Sequence, residues 1–152
     1  MTEFGAMIAQ TIQLALTPVF LLVAIGSIMN ILSTRLGRIV DRSRVLLERH
    51  GRTEGKEHDE IVREMRTADE RIGLIGRAIL LLVLSSLSIG LTVVLLFIEE
   101  FASLEIGFLV AGTFILAIAL LMWALILFLK ETREAAEALR IPTAFLEEDR
   151  KL

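Results

Sequence analysis

Apolar residues are gathered into three long runs, separated by stretches of different character. The first run, Gly5 to Leu32, carries no charge. The second, Leu74 to Ile98, carries one, Arg77, near its start, and the third, Ile106 to Leu129, is again uncharged. About 20 apolar residues cross roughly 30 Å of hydrocarbon at about 1.5 Å per residue, so each run is long enough to span a bilayer. Helix is the form to expect, because lipid offers no partner for exposed peptide groups. The many alternating strands of a transmembrane barrel are not in the pattern. The first run is the most polar of the three: Gln10, Thr11, Gln13 and Thr17 precede Pro18, and Ser27 and Asn30 follow it. Pro18 removes a donor and frees the carbonyl of Leu14, which predicts a kink. The run lacks a basic leader and is too long for a cleavable signal peptide, so it is expected to remain as a span.

The stretch from Arg35 to Arg71 is highly charged but patterned. Leu36, Val40, Ser43 and Leu47 recur at helical spacing, as do Ile61, Met65, Ala68 and Ile72. Such narrow stripes predict a two-helix coiled coil. Between them, His50-Gly51-Arg52-Thr53-Glu54-Gly55 holds two glycines suited to a helix stop and a turn. Folding near Glu54 sets Val40 against Ala68, Leu36 against Ile72 and Leu47 against Ile61. The same alignment predicts ion pairs Arg38–Glu70, Arg44–Glu64 and Arg49–Asp59, which choose register more than they stabilise. After the third run, Lys130 to Leu139 is helix-forming and amphipathic, Arg140-Ile141-Pro142 ends it, and Thr143 to Leu152 adds a short turn or frays.

Composition sharpens this picture. Of 152 residues, 55% are hydrophobic and mean hydropathy is +0.69. That excludes disorder over most of the length, and one small domain has too little interior to hide so much apolar surface in water. Net charge is −3 and there is no cysteine, so nucleic acid is not an expected partner and thiol or disulfide chemistry is excluded. The placement of charge says more than its total. Eleven of the 16 basic residues lie between Arg35 and Arg77 and the other five from Lys130 onward. The positive-inside rule then puts the amino terminus outside and the middle segment and carboxyl tail in the cytoplasm. Trp123 is placed as an anchor at the inner interface. The expected fold class is an all-α membrane protein with three transmembrane helices, the first two prolonged into a cytoplasmic antiparallel helical hairpin. Its parts are a span at 6–34, a coiled-coil hairpin at 35–73, a span at 74–98, an outer turn at 99–105, a span at 106–129 and a cytoplasmic tail at 130–152.

Specific runs carry a resemblance. Pro18-Val19-Phe20-Leu21-Leu22, then Asn30, then Arg35-Leu36-Gly37-Arg38-Ile39-Val40-Asp41-Arg42-Ser43-Arg44 resembles the bacterial membrane proteins of the domain of unknown function 2721 family, as does Arg71-Ile72-Gly73-Leu74-Ile75-Gly76-Arg77-Ala78-Ile79 at the start of the second span. The resemblance covers about Ile8 to Leu129. It implies a three-span, multi-pass protein of the bacterial inner membrane and implies no activity.

Two groups of residues stand out as sites. In the first span, Gln13, Thr17 and Ser27 fall with Ala24 within about 80° of one another on a helical wheel, with Gln10 beside them and Asn30 further along. Polar residues so placed either bond helices together or line a water-filled path in an oligomer. In the charged stretch, Arg35, Arg38 and Arg42 share a face, and Asp41 sits three residues from Arg38 and from Arg44. This group reads as a positive-inside anchor with pairing charges, or as a site for a lipid headgroup or nucleotide phosphate. Small residues on the other spans (Ser85, Ser86, Ser88, Gly90 and Thr92; Gly107, Ala111 and Gly112) suit close helix packing within the chain or between copies. Glu99, Glu100 and Glu105, with Glu3, make the outer face acidic.

Catalytic, cofactor and metal sites are not expected. His50 and His58 lack companions for a zinc site. Gly55-Lys56 lacks the spacing and the following hydroxyl of a phosphate loop, and no acid, base and nucleophile converge. The expected function is non-enzymatic: an oligomeric or partner-docking membrane module, with the lipid bilayer, further copies of itself and a cytoplasmic protein at the hairpin as partners. The alternative is a homo-oligomeric ion channel lined by the first span.

Overall fold

The computed structural model describes residues 2–102 and 105–138. They form three helices: α1 (Thr2–His50), α2 (Lys56–Ala102) and α3 (Gly107–Ala138). All three are long and apolar enough to cross a membrane, which suggests a multi-pass membrane protein. At about 1.5 Å per residue, the 49 residues of α1 and 47 of α2 give rods of about 74 and 70 Å. That is more than twice the hydrocarbon thickness, so each rod extends well beyond its apolar run. α1 passes through Pro18 as helix on both sides. α2 carries four residues past the expected span end, to Ala102, so Glu99 and Glu100 are helical. The expected helix stop at Arg140-Ile141-Pro142 lies outside the described residues.

The break between α1 and α2 has a local cause. The Arg52 amide donates to the Arg49 carbonyl at 2.9 Å, and the Thr53 hydroxyl donates to the same carbonyl at 3.2 Å. These bonds occupy an acceptor that helix termination would leave open. Gly55 then takes φ 67°, a left-handed conformation costly for any residue with a Cβ. Its carbonyl accepts from Asp59 at 3.2 Å and so begins α2. Glu57 and Asp59 in the first turn of α2 and Arg49 and His50 in the last turn of α1 suit the local helix dipoles.

Packing follows a repeat of seven. On α1 the buried line is Thr11, Pro18, Ile25, Leu32, Ile39 and Leu46, with Ala15 buried one turn after Thr11. On α2 the line is Ile61, Ala68, Ile75, Leu82 and Ile89, with a second line at Ala78, Ser85 and Thr92 and with Leu74 and Ser88 buried beside them; on α3 it is Ala117, Ala124 and Glu131, with Ala135 buried one turn on. A strict spacing of seven keeps one buried seam facing its neighbour along the whole of a long helix. α2 is the middle element, packed along both α1 and α3. Its second line is small, and so are Ala117 and Ala124 opposite, which brings the α2 and α3 backbones close. The Ser85 hydroxyl donates to the Ala117 carbonyl and Ser88 to the Thr113 carbonyl, both at 2.8 Å. Thr92 bonds the Thr113 hydroxyl at 2.9 Å.

The alignment of α1 on α2 differs from the sequence expectation. Glu64 is bonded by Arg42, through Nε at 2.7 Å and Nη2 at 3.1 Å, not by Arg44. Arg38 and Arg49 have no ion-pair partner among the described residues, so the pairs Arg38–Glu70 and Arg49–Asp59 do not form. The seam on α1 is Ile39 and Leu46, one position before the expected Val40 and Leu47; Leu47 is 59% exposed. The physical reason lies in the apolar run. Ile25 and Leu32 fix the phase of α1, and an unbroken helix carries that phase into the charged stretch at sevenfold spacing. Val40 and Leu47 are a full residue, about 100° of helix, out of that phase.

Candidate functional site

Where the apolar runs end, the three helices meet at one carboxylate. Glu131 on α3 has 0% exposure. Arg35 on α1 donates from Nη1 to Glu131 Oε2 at 2.5 Å and to the Thr132 hydroxyl at 3.1 Å. Arg71 on α2 donates to Oε1 from Nη2 at 2.8 Å and from Nε at 3.2 Å. The guanidinium carbon of Arg35 also lies 5.4 Å from the ring centroid of Phe128, within cation–π range. A carboxylate withdrawn from water is costly unless charged donors fill its lone pairs. Here two arginines supply three bonds and each carboxylate oxygen is occupied. Their own side chains remain about one-third exposed, at 31% and 27%.

The register of α2 on α3 explains the meeting. Ser85 faces Ala117. Seven residues back on α2 is Ala78, and seven on along α3 is Ala124. One further step gives Arg71 and Glu131. The ion pair is thus the continuation of the small-residue seam, at the level where the chain leaves the apolar run.

Beside this cluster α1 and α2 leave an open groove of about 700 Å³ that also touches Ala135 of α3. Arg35, Arg38 and Arg42 line it from α1, and Arg63 and Arg71 from α2, with Glu60 and Glu64 among them. Glu64 holds the Arg42 guanidinium above its ordinary pKa, by their hydrogen bonds first and by charge second. Of the expected charged group, the structure therefore brings Arg35, Arg38 and Arg42 together. Asp41 and Arg44 are exposed and do not line the groove.

The polar residues of the first span stand apart from this site. Gln10, Gln13, Thr17, Ser27 and Asn30 are all exposed. The Ser27 hydroxyl turns back to the Val23 carbonyl at 3.1 Å. Thr11, one residue from Gln10, is by contrast buried, at 5% exposure. His50 and His58 come together, ring centroids 4.4 Å apart, and no group of three or more metal-ligating side chains forms among the described residues.

Sequence reasoning missed Glu131, Arg63 and the bonding role of Arg71. The signal for Glu131 was present: it stands seven residues after Ala124 and fourteen after Ala117, all on one seam. An acidic residue in the small-residue phase of a helix asks for a basic residue in the same phase of its neighbour.

No curated protein and no solved structure matches the chain. A family model described as Protein of unknown function (DUF2721) matches residues 15–141. That stretch contains Arg35, Arg71 and Glu131, and with most of its length so covered the chain belongs to the DUF2721 family.

Proposed function

We propose that this protein is a non-enzymatic, self-associating module of the bacterial inner membrane. Its amino terminus lies outside, and the ends of α1 and α2 project into the cytoplasm as an antiparallel hairpin able to dock a protein partner. Positive-inside asymmetry supports the orientation. One observation carries the self-association: the polar stripe of α1 is turned away from α2. Gln10, Gln13, Thr17 and Asn30 lie exposed within a helix apolar enough to cross a membrane. An amide facing lipid leaves its polar atoms unpaired, a cost of several kcal/mol by transfer to hydrocarbon. The same stripe on a second copy supplies donors and acceptors, each bond contributing about 1 kcal/mol. A second reading rests on the same stripe: polar from Gln10 to Asn30, it can line a water-filled path in a ring of copies.

Molecular mass in mild detergent tests the proposal first. An oligomer is expected, and Gln13→Leu with Thr17→Leu shifts it toward monomer. A wild-type monomer, both in detergent and by crosslinking in native membranes, overturns self-association. Ion flux in liposomes that is lost in the same variant favours the channel over the docking module. Protease access to a tag near Arg52 from outside intact cells overturns the orientation.

A further inference from the structure

We propose that the groove between α1 and α2 binds a phosphate group, held by Arg38 and Arg63. Five arginines line the groove, and three of them are already committed. Arg35 and Arg71 hold Glu131, and Arg42 holds Glu64. Among the described residues Arg38 and Arg63 have no ion-pair partner, and they approach the same space from different helices. Among the described residues, counting Glu60, Glu64 and the shared Glu131 against the five arginines leaves two positive charges uncompensated. A phosphodiester carries one negative charge, and a monoester up to two. The planar fork of a guanidinium matches phosphate oxygens in pairs. Two such forks across a groove make a better site than the same charges spread on a surface. Part of the lining is apolar, Ile39, Ala68 and Ala135, which suits the carbon skeleton attached to a phosphate ester.

The depth of the groove fits as well. Arg35 and Arg71 stand where the apolar runs of α1 and α2 end, and Arg35 lies over Phe128 at the end of the third run. Arg38 is one turn beyond. That is the level of lipid phosphates at the membrane surface, where basic pockets between helices take anionic headgroups. The proposal does not depend on self-association, since one copy supplies the whole groove.

The test uses the full chain purified in mild detergent. The probes are phosphatidylglycerol, with phosphatidylcholine as background, and inorganic phosphate; the readout is bound probe by native mass spectrometry. Arg38→Gln with Arg63→Gln is expected to weaken binding about thirtyfold, from about tenfold per 1.4 kcal/mol and about 1 kcal/mol per basic residue. Arg44→Gln with Arg66→Gln removes the same charge outside the groove and is expected to retain affinity within about threefold. Phosphatidylglycerol that inorganic phosphate does not displace identifies a lipid headgroup as the source. Displacement by inorganic phosphate identifies a soluble phosphate ligand. Binding of neither probe above the phosphatidylcholine level overturns the site, as does equal loss in the two double variants. Helical circular dichroism checks the fold. If Arg38→Gln with Arg63→Gln fails to fold, each single variant is expected to bind about fivefold more weakly, and wild-type affinity in both overturns the proposal.

Discussion

Arg71 donates to Glu131 at the same helix-to-helix offset at which Ser85 donates to the carbonyl of Ala117. The two contacts are separated by two sevenfold steps on each helix, with Ala78 and Ala124 between them. One packing register therefore serves two environments. Within the apolar run it sets small residues face to face, and at the end of that run it sets an acid against a base. Arg35 then joins α1 to the same carboxylate, so three rods that share little sequence proximity are tied at one level.

Glu131 is the residue on which this tie depends. Glu131→Gln leaves Arg35 and Arg71 together without a counter-charge, and breaking a buried pair costs about 3–5 kcal/mol. Arg71→Gln is expected to cost less, because Arg35 still compensates the carboxylate. Thr132→Ala loses one hydrogen bond and is expected to cost about 1 kcal/mol. Unfolding of the purified protein in detergent by graded denaturant, followed by circular dichroism, ranks the three. Glu131→Gln as stable as wild type contradicts the burial of a shared carboxylate.

Close approach of α2 and α3 depends on small side chains. Ala117 and Ala124 are 0% and 1% exposed, and neither site has room for three more carbons. Ala124→Leu is expected to destabilise by about 1–3 kcal/mol through overpacking. It should also weaken the Arg71–Glu131 pair one step away, so the penalty of Glu131→Gln becomes smaller in that background. A double-mutant cycle measures this coupling; strictly additive effects would separate the seam from the ion pair.

The turn between α1 and α2 rests on Gly55. Its φ of 67° costs an L-residue about 1–2 kcal/mol, although nothing stands within 4 Å of a Cβ there. Gly55→Ala is expected to lower stability by that amount through backbone strain alone. Gly51 has equal space and no left-handed φ, so Gly51→Ala is expected to be near neutral. Equal effects at the two glycines would point to a cause other than conformation.

Alignment of the charged ends can be read chemically, because the chain has no cysteine of its own. Cysteines placed at 42 and 64 are expected to crosslink faster than cysteines at 44 and 64. A preference for 44 and 64 restores the register built on Val40 and Leu47 and removes the one built on Ile39 and Leu46. Added salt is expected to change the rate at 42 and 64 little, since the substitutions themselves remove the exposed Arg42–Glu64 pair and the seam sets the alignment.

The sequence by itself determined three apolar helices, their order, the turn near the two glycines and the family. Each of these follows from local composition: the preference of a run for lipid, the conformational freedom of a glycine and the wording of the Arg-rich segment are all readable without knowing what lies opposite. Packing of Ser85, Ser88 and Thr92 was open in the sequence between contacts within the chain and contacts between copies, and the structure shows them bonding α3. What only the tertiary structure decided is phase and partnership. Leu36, Val40, Ser43 and Leu47 form a good stripe in isolation, yet the buried phase was set by Ile25 and Leu32, far along the same rod. Glu131 looks like any exposed acid of a charged tail until α2 and α3 are packed by their small residues, and then it is the one acid among the described residues brought beneath two arginines. A register is a property of two surfaces at once, so a charge can be assigned to the interior only after both surfaces are known.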